Sequence, residues 1–241
     1  MKAVVLAGGK GTRLTPYTRI LPKPLIPIGD LPILEILLRQ MKNSGVEEVI
    51  LTTGHLAGLL QAFFQDGNRL GLDIRYSYEE ESLGTAGPLS LIEGLDETFL
   101  VTNGDILTTL DLKILAEAHR SSDALVTIAT HKRKVQIDLG VIQFASIDRQ
   151  ITDYIEKPVY DFQVSMGIYV FEPRVLDYIE HNQYLDFPDL ILRMINAGEI
   201  IRGYPYEGYW QDLGNMDDYE QAVQDFEELK SQFLPDDEKR N

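Results

Sequence analysis

From residue 2 to residue 120 the chain repeats one rhythm: a short aliphatic run, then a stretch whose apolar positions fall at helical spacing. Residues 2–7 (KAVVLA) are rich in β-branched side chains and run into GGKG, which reads as a buried strand closing in a tight turn. From Ile33 to Asn43 the apolar positions Ile33, Leu34, Leu37, Leu38 and Met41 mark a helix, and Gly45 follows as a stop. EVILTTG (48–54) is the next strand and HLAGLLQAFFQ (55–65) the next helix. IRYSYEE (74–80) and TFLVTNGD (98–105) are further strands, and LKILAEAHR (112–120) is a helix. The order reads β-α-β-α-β-α-β-α, which predicts an α/β fold: a Rossmann-like three-layer α/β/α sandwich on a mostly parallel sheet.

After Asp123 the rhythm changes. ALVTIAT, LGVIQF, ITDYIE and VSMGIYVF are strand-like runs with few helices between them, which predicts a smaller mixed α/β lobe. DDYEQAVQDFEELKSQF is an amphipathic helix. The expected organisation is a single domain over 1–235, divided into halves at 1–123 and 124–214 with a terminal helix at 215–235. Residues 236–241 read as a polar tail. Phe63, Phe64, Tyr169 and Phe171 read as core, and KRK at 132–134 as a solvated loop.

With 241 residues, 44% hydrophobic and 25% charged, the chain has the composition of a soluble globular protein with a sizeable core. It has no cysteine, which excludes disulfides, thiolate metal sites and a cysteine nucleophile. The apolar run AVVLA is too short to span a membrane and lacks the build of a signal peptide, so no membrane association and a cytoplasmic location are expected. The net charge of −16 argues against nucleic acid as a partner over a broad face. That charge is unevenly spread. Residues 1–29 hold five of the 22 basic residues (Lys2, Lys10, Arg13, Arg19 and Lys23) and none of the 38 acidic ones. A local positive potential of this kind suits a small anionic ligand in one pocket.

GGKGTR places three glycines at the first strand-to-helix turn, where an open α/β sheet offers backbone N–H groups to a ligand. Glycines let the main chain approach a phosphate closely, and successive N–H groups form an anion-binding concavity. A structural glycine turn is the alternative. No Walker A string occurs, and from Gly9 the string GKGTRL departs from G-x-G-x-x-G at its last position. Lys23, held between Pro22 and Pro24, is oddly rigid for a solvated cation.

LAGGKGTRL (6–14) with PKPL (22–25) resembles the signature of the sugar-phosphate nucleotidyltransferases. These join a sugar 1-phosphate to a nucleoside triphosphate and release pyrophosphate. The match continues in order through LGTAG (83–87), NGD (103–105), EKP (156–158) and W-x-D-x-G at Trp210–Gly214. The resemblance implies that Leu6, Ala7, Gly8, Gly9, Gly11 and Thr12 contact base and phosphates. Arg13 then neutralises the departing phosphates and Lys23 lies near the α-phosphorus. Catalysis in such a site is positioning plus electrostatics. Asp105 and Asp212 are implied as ligands of Mg²⁺, whose usual protein ligands are one or two carboxylates. The plain alternative for Asp105 is a turn residue or helix cap.

On the sugar side the resemblance implies Lys157 for the sugar phosphate, Glu156 for sugar hydroxyls and the Gly140 backbone for the sugar. The alternatives are an exposed ion pair and a β-bulge. LGTAG preceded by EEES resembles the mannose-1-phosphate guanylyltransferases, which implies the backbone of Gly84 and Thr85 at the base and Glu80 or Glu81 accepting from guanine. Many relatives carry a C-terminal left-handed β-helix of hexapeptide repeats, and no such repeat is present here. Short heptose 1-phosphate and N-acetylmuramate 1-phosphate enzymes are similar. His55, His119, His131 and His181 share no metal-binding spacing. The expected partners are the NTP and sugar 1-phosphate substrates, and homo-oligomerisation is allowed but not indicated by the sequence. Three readings compete: an active nucleotidyltransferase, a non-catalytic nucleotide-sugar sensor or regulatory subunit of the same fold, and a glycosyltransferase. Arg13, Lys23, Asp105, Lys157 and Asp212 are all present, and NGD stands where a D-x-D string would be needed. Both points favour the enzyme.

Overall fold

The computed structural model describes residues 1–9, 11–145 and 149–235, with Thr12 described for its backbone alone. Lys10 and the tail at 236–241 therefore lie outside the described residues. In chain order the elements are β1 (Lys2–Leu6), β2 (Pro27–Ile28), β3 (Leu31–Pro32), α1 (Ile33–Asn43), β4 (Glu48–Thr53) and α2 (Ala57–Phe64). Then come β5 (Asp73–Tyr78), β6 (Phe99–Asn103), β7 (Ile106–Thr108), α3 (Leu112–Arg120), β8 (Val126–Gln136), β9 (Val141–Phe144) and β10 (Ile151–Ile155). The chain ends with β11 (Val159–Phe171), α4 (Phe187–Asn196), β12 (Ile201–Tyr206), β13 (Trp210–Asp212) and α5 (Met216–Phe233).

Seven strands form one sheet in the order β12-β8-β11-β6-β1-β4-β5. Only β11 runs against its neighbours β6 and β8, and the other four ladders are parallel. The sheet is thus mostly parallel, as the alternation predicts. It continues past Asp123 without a break, because β11 pairs directly with β6.

Period-two alternation divides the core into two layers. Ala3, Val5, Leu51 and Leu100 face α1, α2 and α3, where Leu34, Leu38, Leu60 and Leu115 are fully buried. Val4, Ile50, Phe99 and Val101 face the other way, onto Leu190 and Met194 of α4 and the ring cluster of Tyr169, Phe171 and Phe187. Each fully buried aliphatic or Phe side chain contributes about 1.5–3 kcal/mol relative to exposure. A third cluster seats α5: Phe226 and Phe233 pack on Ile28, Ile33, Leu107 and Leu213. The Asn215 side chain caps this helix by accepting from the Asp218 N–H at 3.0 Å.

Three expectations are corrected. The third helical position of the alternation holds a five-residue 3-10 turn, Gly87–Leu91. Gly84 and Gly94 on either side of it have positive φ, which bounds the helical stretch. The KRK segment is strand rather than loop: Lys132, Arg133 and Lys134 pair with Gln163, Phe162 and Asp161 of β11. Cross-strand pairing there outweighs a composition that looks solvated, and the side chains remain exposed. Phe63 is 44% exposed, lying under the Arg69 guanidinium on the outer side of α2, while its neighbour Phe64 is buried.

Candidate active site

The chain leaves β1 for β4 and β5 on one side of the sheet and reaches β6 on the other. The strand order therefore reverses between β1 and β6. Ligand crevices in open α/β sheets form at such reversals, beyond the carboxyl ends of the strands. Two backbone bonds clamp the exit of β1: Ala7 N–H to Thr52 O at 3.0 Å and Gly104 N–H to Leu6 O at 3.0 Å. A Cβ on Gly8 would lie 2.7 Å from Glu79 Oε1, so any side chain there would displace the Glu79 carboxylate. Gly11 has φ +58°, and its carbonyl accepts from the Thr18 hydroxyl at 2.8 Å and the Leu14 N–H at 3.0 Å. The turn is thereby fixed around an open cleft of about 1110 Å³. Leu6, Ala7, Gly8, Gly9, Gly11 and Arg13 line it, as do Lys23, Glu80, Gly84, Thr85 and Asp105.

Lys23 opens a 3-10 turn, Lys23–Leu25, with Pro22 at its cap, and its side chain is only 10% exposed. Its ammonium donates to Oδ2 of Asp105, which follows Gly104 just past the end of β6. Asp212 arrives from 107 residues downstream because β13 pairs antiparallel with β7, setting Asp212 opposite Ile106. The Leu213 N–H then donates to Asp105 O at 3.2 Å. Burial pushes the Asp212 carboxyl up, the neighbouring Asp105 charge adds to this, and the Lys23 and Arg13 cations oppose it. Arg13 reaches the same corner, because a Cβ on Gly214 would lie 3.7 Å from Arg13 Nη1 and 3.6 Å from Asp212 Oδ2. The two carboxylates and two cations thus converge beside the glycine turn, although Asp212 does not line the cleft wall.

No group of three or more His, Asp or Glu side chains is gathered for a metal among the described residues. Two hard oxygen donors in mutual repulsion do fit Mg²⁺, which completes its octahedron with phosphate oxygens and water.

LGTAG serves first as a joint. Gly84 has φ +80°, and a Cβ there would lie 2.6 Å from Leu185 O. The Thr85 N–H and hydroxyl both donate to Asp186 Oδ1, at 2.9 and 3.1 Å, and the hydroxyl accepts from the Phe187 N–H at 2.8 Å. Glu80 and Glu81 line the cleft but point into solvent. The buried member of the run is Glu79, whose carboxylate accepts from the Leu83 N–H at 3.0 Å and whose pKa burial pushes up. Three consecutive glutamates give no pattern by which sequence could single it out. What selects Glu79 is its N–H, which extends the β4–β5 ladder to Thr53 O at 2.9 Å and turns the side chain inward. His55 also lines the cleft, a position that sequence spacing does not mark.

Gly140, Glu156 and Lys157 form a separate group. Ile155 lies opposite Val141, so Glu156 comes beside Gly140 at the base of the β9–β10 hairpin, with the Tyr154 hydroxyl over the Gly140 Cα. Lys157 has φ +46°, and none of the three lines the cleft. The other histidines are structural: His119 is buried between Thr127 and Glu172, and His131 and His181 bond to Tyr206 O and Ser90 O.

Among the described residues no helix is long and apolar enough to cross a membrane. The profile of the Nucleotidyl transferase family matches residues 2–228. The UTP–glucose-1-phosphate uridylyltransferase of Synechocystis is 34% identical over 257 residues, covering 98% of this chain and 66% of that protein. The mannose-1-phosphate guanylyltransferase of Mycobacterium tuberculosis is 37% identical over 223 residues, covering 90% of this chain and 62% of that one. This chain thus spans a little under two thirds of the length of these relatives. Among solved structures, HddC from Yersinia pseudotuberculosis matches with a TM-score of 0.70 at 25% identity, covering 93% of this chain and 99% of that one. A UDP-glucose pyrophosphorylase complexed with UDP-glucose has the same fold, with a TM-score of 0.70 at 21% identity over 94% of this chain and 98% of that one. With the profile running from β1 well into α5, the chain belongs to the nucleotidyl transferase family.

Proposed function

We propose that this chain joins a sugar 1-phosphate to a nucleoside triphosphate and releases pyrophosphate, with GTP and a mannose- or heptose-type sugar 1-phosphate as substrates. The observation that carries the reading is the meeting of Lys23, Asp105, Asp212 and Arg13 beside the glycine turn at the strand-order reversal. A sugar phosphate oxygen is already anionic and nucleophilic at neutral pH. It attacks the α-phosphorus, the bond to the bridging oxygen of the β-phosphate breaks, and pyrophosphate leaves with that electron pair. No general base is needed, so the protein's work is alignment and charge. Lys23 meets charge growing on the α-phosphoryl oxygens and Arg13 meets charge on the leaving group. Mg²⁺, held by Asp105 and Asp212, would neutralise phosphate oxygens when bound. Glu156, Lys157 and the Gly140 backbone would receive the sugar phosphate from the hairpin side.

Glu79 supports guanine. A carboxylate accepts well from two adjacent donors, which guanine offers at N1–H and N2–H₂, whereas uracil presents one donor flanked by two carbonyls. In this reading Glu79 takes the part that the sequence analysis assigns to Glu80 or Glu81. Glu79→Gln is expected to lower kcat/KM for GTP about tenfold, roughly 1.4 kcal/mol, and to raise the UTP/GTP ratio in a direct competition. An unchanged ratio would remove Glu79 from base selection. The second reading is uridylyl transfer to glucose 1-phosphate, favoured by the Synechocystis relative over 98% of this chain.

The test is pyrophosphate release with Mg²⁺, each NTP in turn, and a panel of sugar 1-phosphates. Release that requires one NTP and one sugar phosphate together establishes the reaction and names both. A folded protein that binds nucleotide and releases nothing from any pair would instead be a sensor of the same fold. Arg13→Ala is expected to cut turnover about a hundredfold or more while the melting temperature stays within about 2 °C, since the side chain is exposed. Full turnover in that variant counts against the assignment.

A further inference from the structure

A second segment of the chain, residues 183–187 leading into α4, lies along LGTAG. The Leu185 N–H donates to Leu83 O at 2.9 Å, and the Ala86 and Gly87 N–H groups both donate to Leu185 O, at 2.8 and 3.0 Å. The Leu83 N–H goes to Glu79 and the Thr85 N–H to Asp186. Of the five N–H groups of the motif, only that of Gly84 has no partner among the described residues. Asp186 makes its contact by giving up a local one. It stands at the N-cap of α4, where a carboxylate ordinarily accepts from its own helix, yet it makes no such bond. Its Oδ1 accepts instead from the Thr85 N–H and hydroxyl, and its Oδ2 accepts from the Tyr184 hydroxyl at 2.7 Å. The Thr85 hydroxyl in turn meets the Phe187 N–H, so the loop satisfies a helix donor that Asp186 leaves open. The Tyr184 hydroxyl, and after it the two Thr85 donors, hold the Asp186 carboxyl below the usual carboxylate range against the opposing effect of burial.

We propose that Asp186 is the positioning residue of the base-reading loop, a role that rests on the nucleotidyl-transfer reading above. The Thr85 N–H belongs to the Gly84–Thr85 peptide, and in a trans peptide the carbonyl points opposite to the N–H. Anchoring that N–H on Asp186 turns the Gly84 carbonyl away from α4. Gly84 lines the cleft, and with φ +80° it is a residue whose backbone rotates at small steric cost. Without an outside anchor this peptide has alternative orientations, each offering a base a different donor and acceptor. Asp186 selects one of them. Under the same reading the phosphates meet the glycine turn after β1, which Asp186 does not touch. Its effect therefore falls on the choice of base and spares the affinity for the triphosphate.

Calorimetric titration of the full chain with GTP, UTP and inorganic tripolyphosphate, each with Mg²⁺, tests this. The wild type should favour one nucleotide over the other by about tenfold or more. D186A should weaken the preferred nucleotide about tenfold and bring the two within about threefold of each other, with tripolyphosphate within about twofold of wild type. D186N keeps an acceptor for Thr85 and should lie within about threefold of wild type for all three ligands. D186S serves if alanine disturbs folding: serine is a good N-cap for α4 but too short to reach Thr85, so it should behave as D186A. A residue that served only the helix would change the melting temperature and leave the GTP/UTP ratio alone. A wild type that discriminates, with an unchanged ratio in D186A and D186S, overturns the proposal and leaves the nucleotidyl-transfer reading standing. So does an equal loss of tripolyphosphate affinity, a wild type that binds GTP and UTP alike, or a D186N no better than D186A. A wild type that binds neither nucleotide removes the reading and the proposal with it.

Discussion

Asp105→Asn is expected to lower Mg²⁺-dependent turnover by about a thousandfold, near 4 kcal/mol of transition-state stabilisation. The change keeps the shape of the side chain and removes one charge. A carboxamide still accepts a hydrogen bond from Lys23, so the residue continues to fill the exit of β6, and its backbone still accepts from the Leu213 N–H. What disappears is half of the anionic pair that would hold the metal. A neutral amide oxygen is a far weaker ligand for a hard divalent cation than a carboxylate. Nucleotide affinity without Mg²⁺ should hold or rise slightly, since under the proposed function the cleft takes a triphosphate and one negative charge has left it. The decisive measurement is initial rate against Mg²⁺ concentration, with binding of the metal-free nucleotide in parallel. A variant that turns over as fast as wild type, with the same Mg²⁺ dependence, would leave Asp105 as no more than a partner for Lys23.

Local signals carried far in this chain. The strand at residues 2–6 is legible because a short β-branched run meets glycines, and its place at the reversal follows from the alternation after it. Asp105 is legible as a residue just past a strand. What sequence leaves hidden depends on pairing between distant segments. Asp212 reaches Asp105 through the three-residue β13–β7 ladder, and no local pattern in WQD announces that register. The tie of the Thr85 hydroxyl to the start of α4, a hundred residues on, has no local signal in LGTAG either. Strands β8 and β11 run to 11 and 13 residues because they brace each other beyond the main sheet, which KRK on its own would not suggest. Glu79 differs from Glu80 only in which side of an ending strand it takes.

Lys23→Met is the second large effect, and it separates catalysis from stability. The Lys23 side chain is buried, its stem fits methionine well, and its ammonium lies against Asp105 with Asp212 nearby. Removing the cation leaves two carboxylates with less to offset their repulsion, so the metal-free protein should lose about 1–3 kcal/mol of stability. Turnover should fall about a hundred- to ten-thousandfold, because charge building up on the α-phosphoryl oxygens then meets no ammonium. Added Mg²⁺ should recover much of the stability, as a divalent ion takes up the carboxylate charge, and little of the rate. The double variant K23M/D105N removes cation and anion together. It should be more stable than K23M alone, since the repulsion has gone, and no faster than either single variant, since the alignment has gone too. Chemical denaturation with and without Mg²⁺, alongside single-turnover rates, reads both quantities on the same proteins. If K23M/D105N proved less stable than K23M, the contact would be a mere neighbour pair, and the charge balance argued for this corner of the cleft would fail.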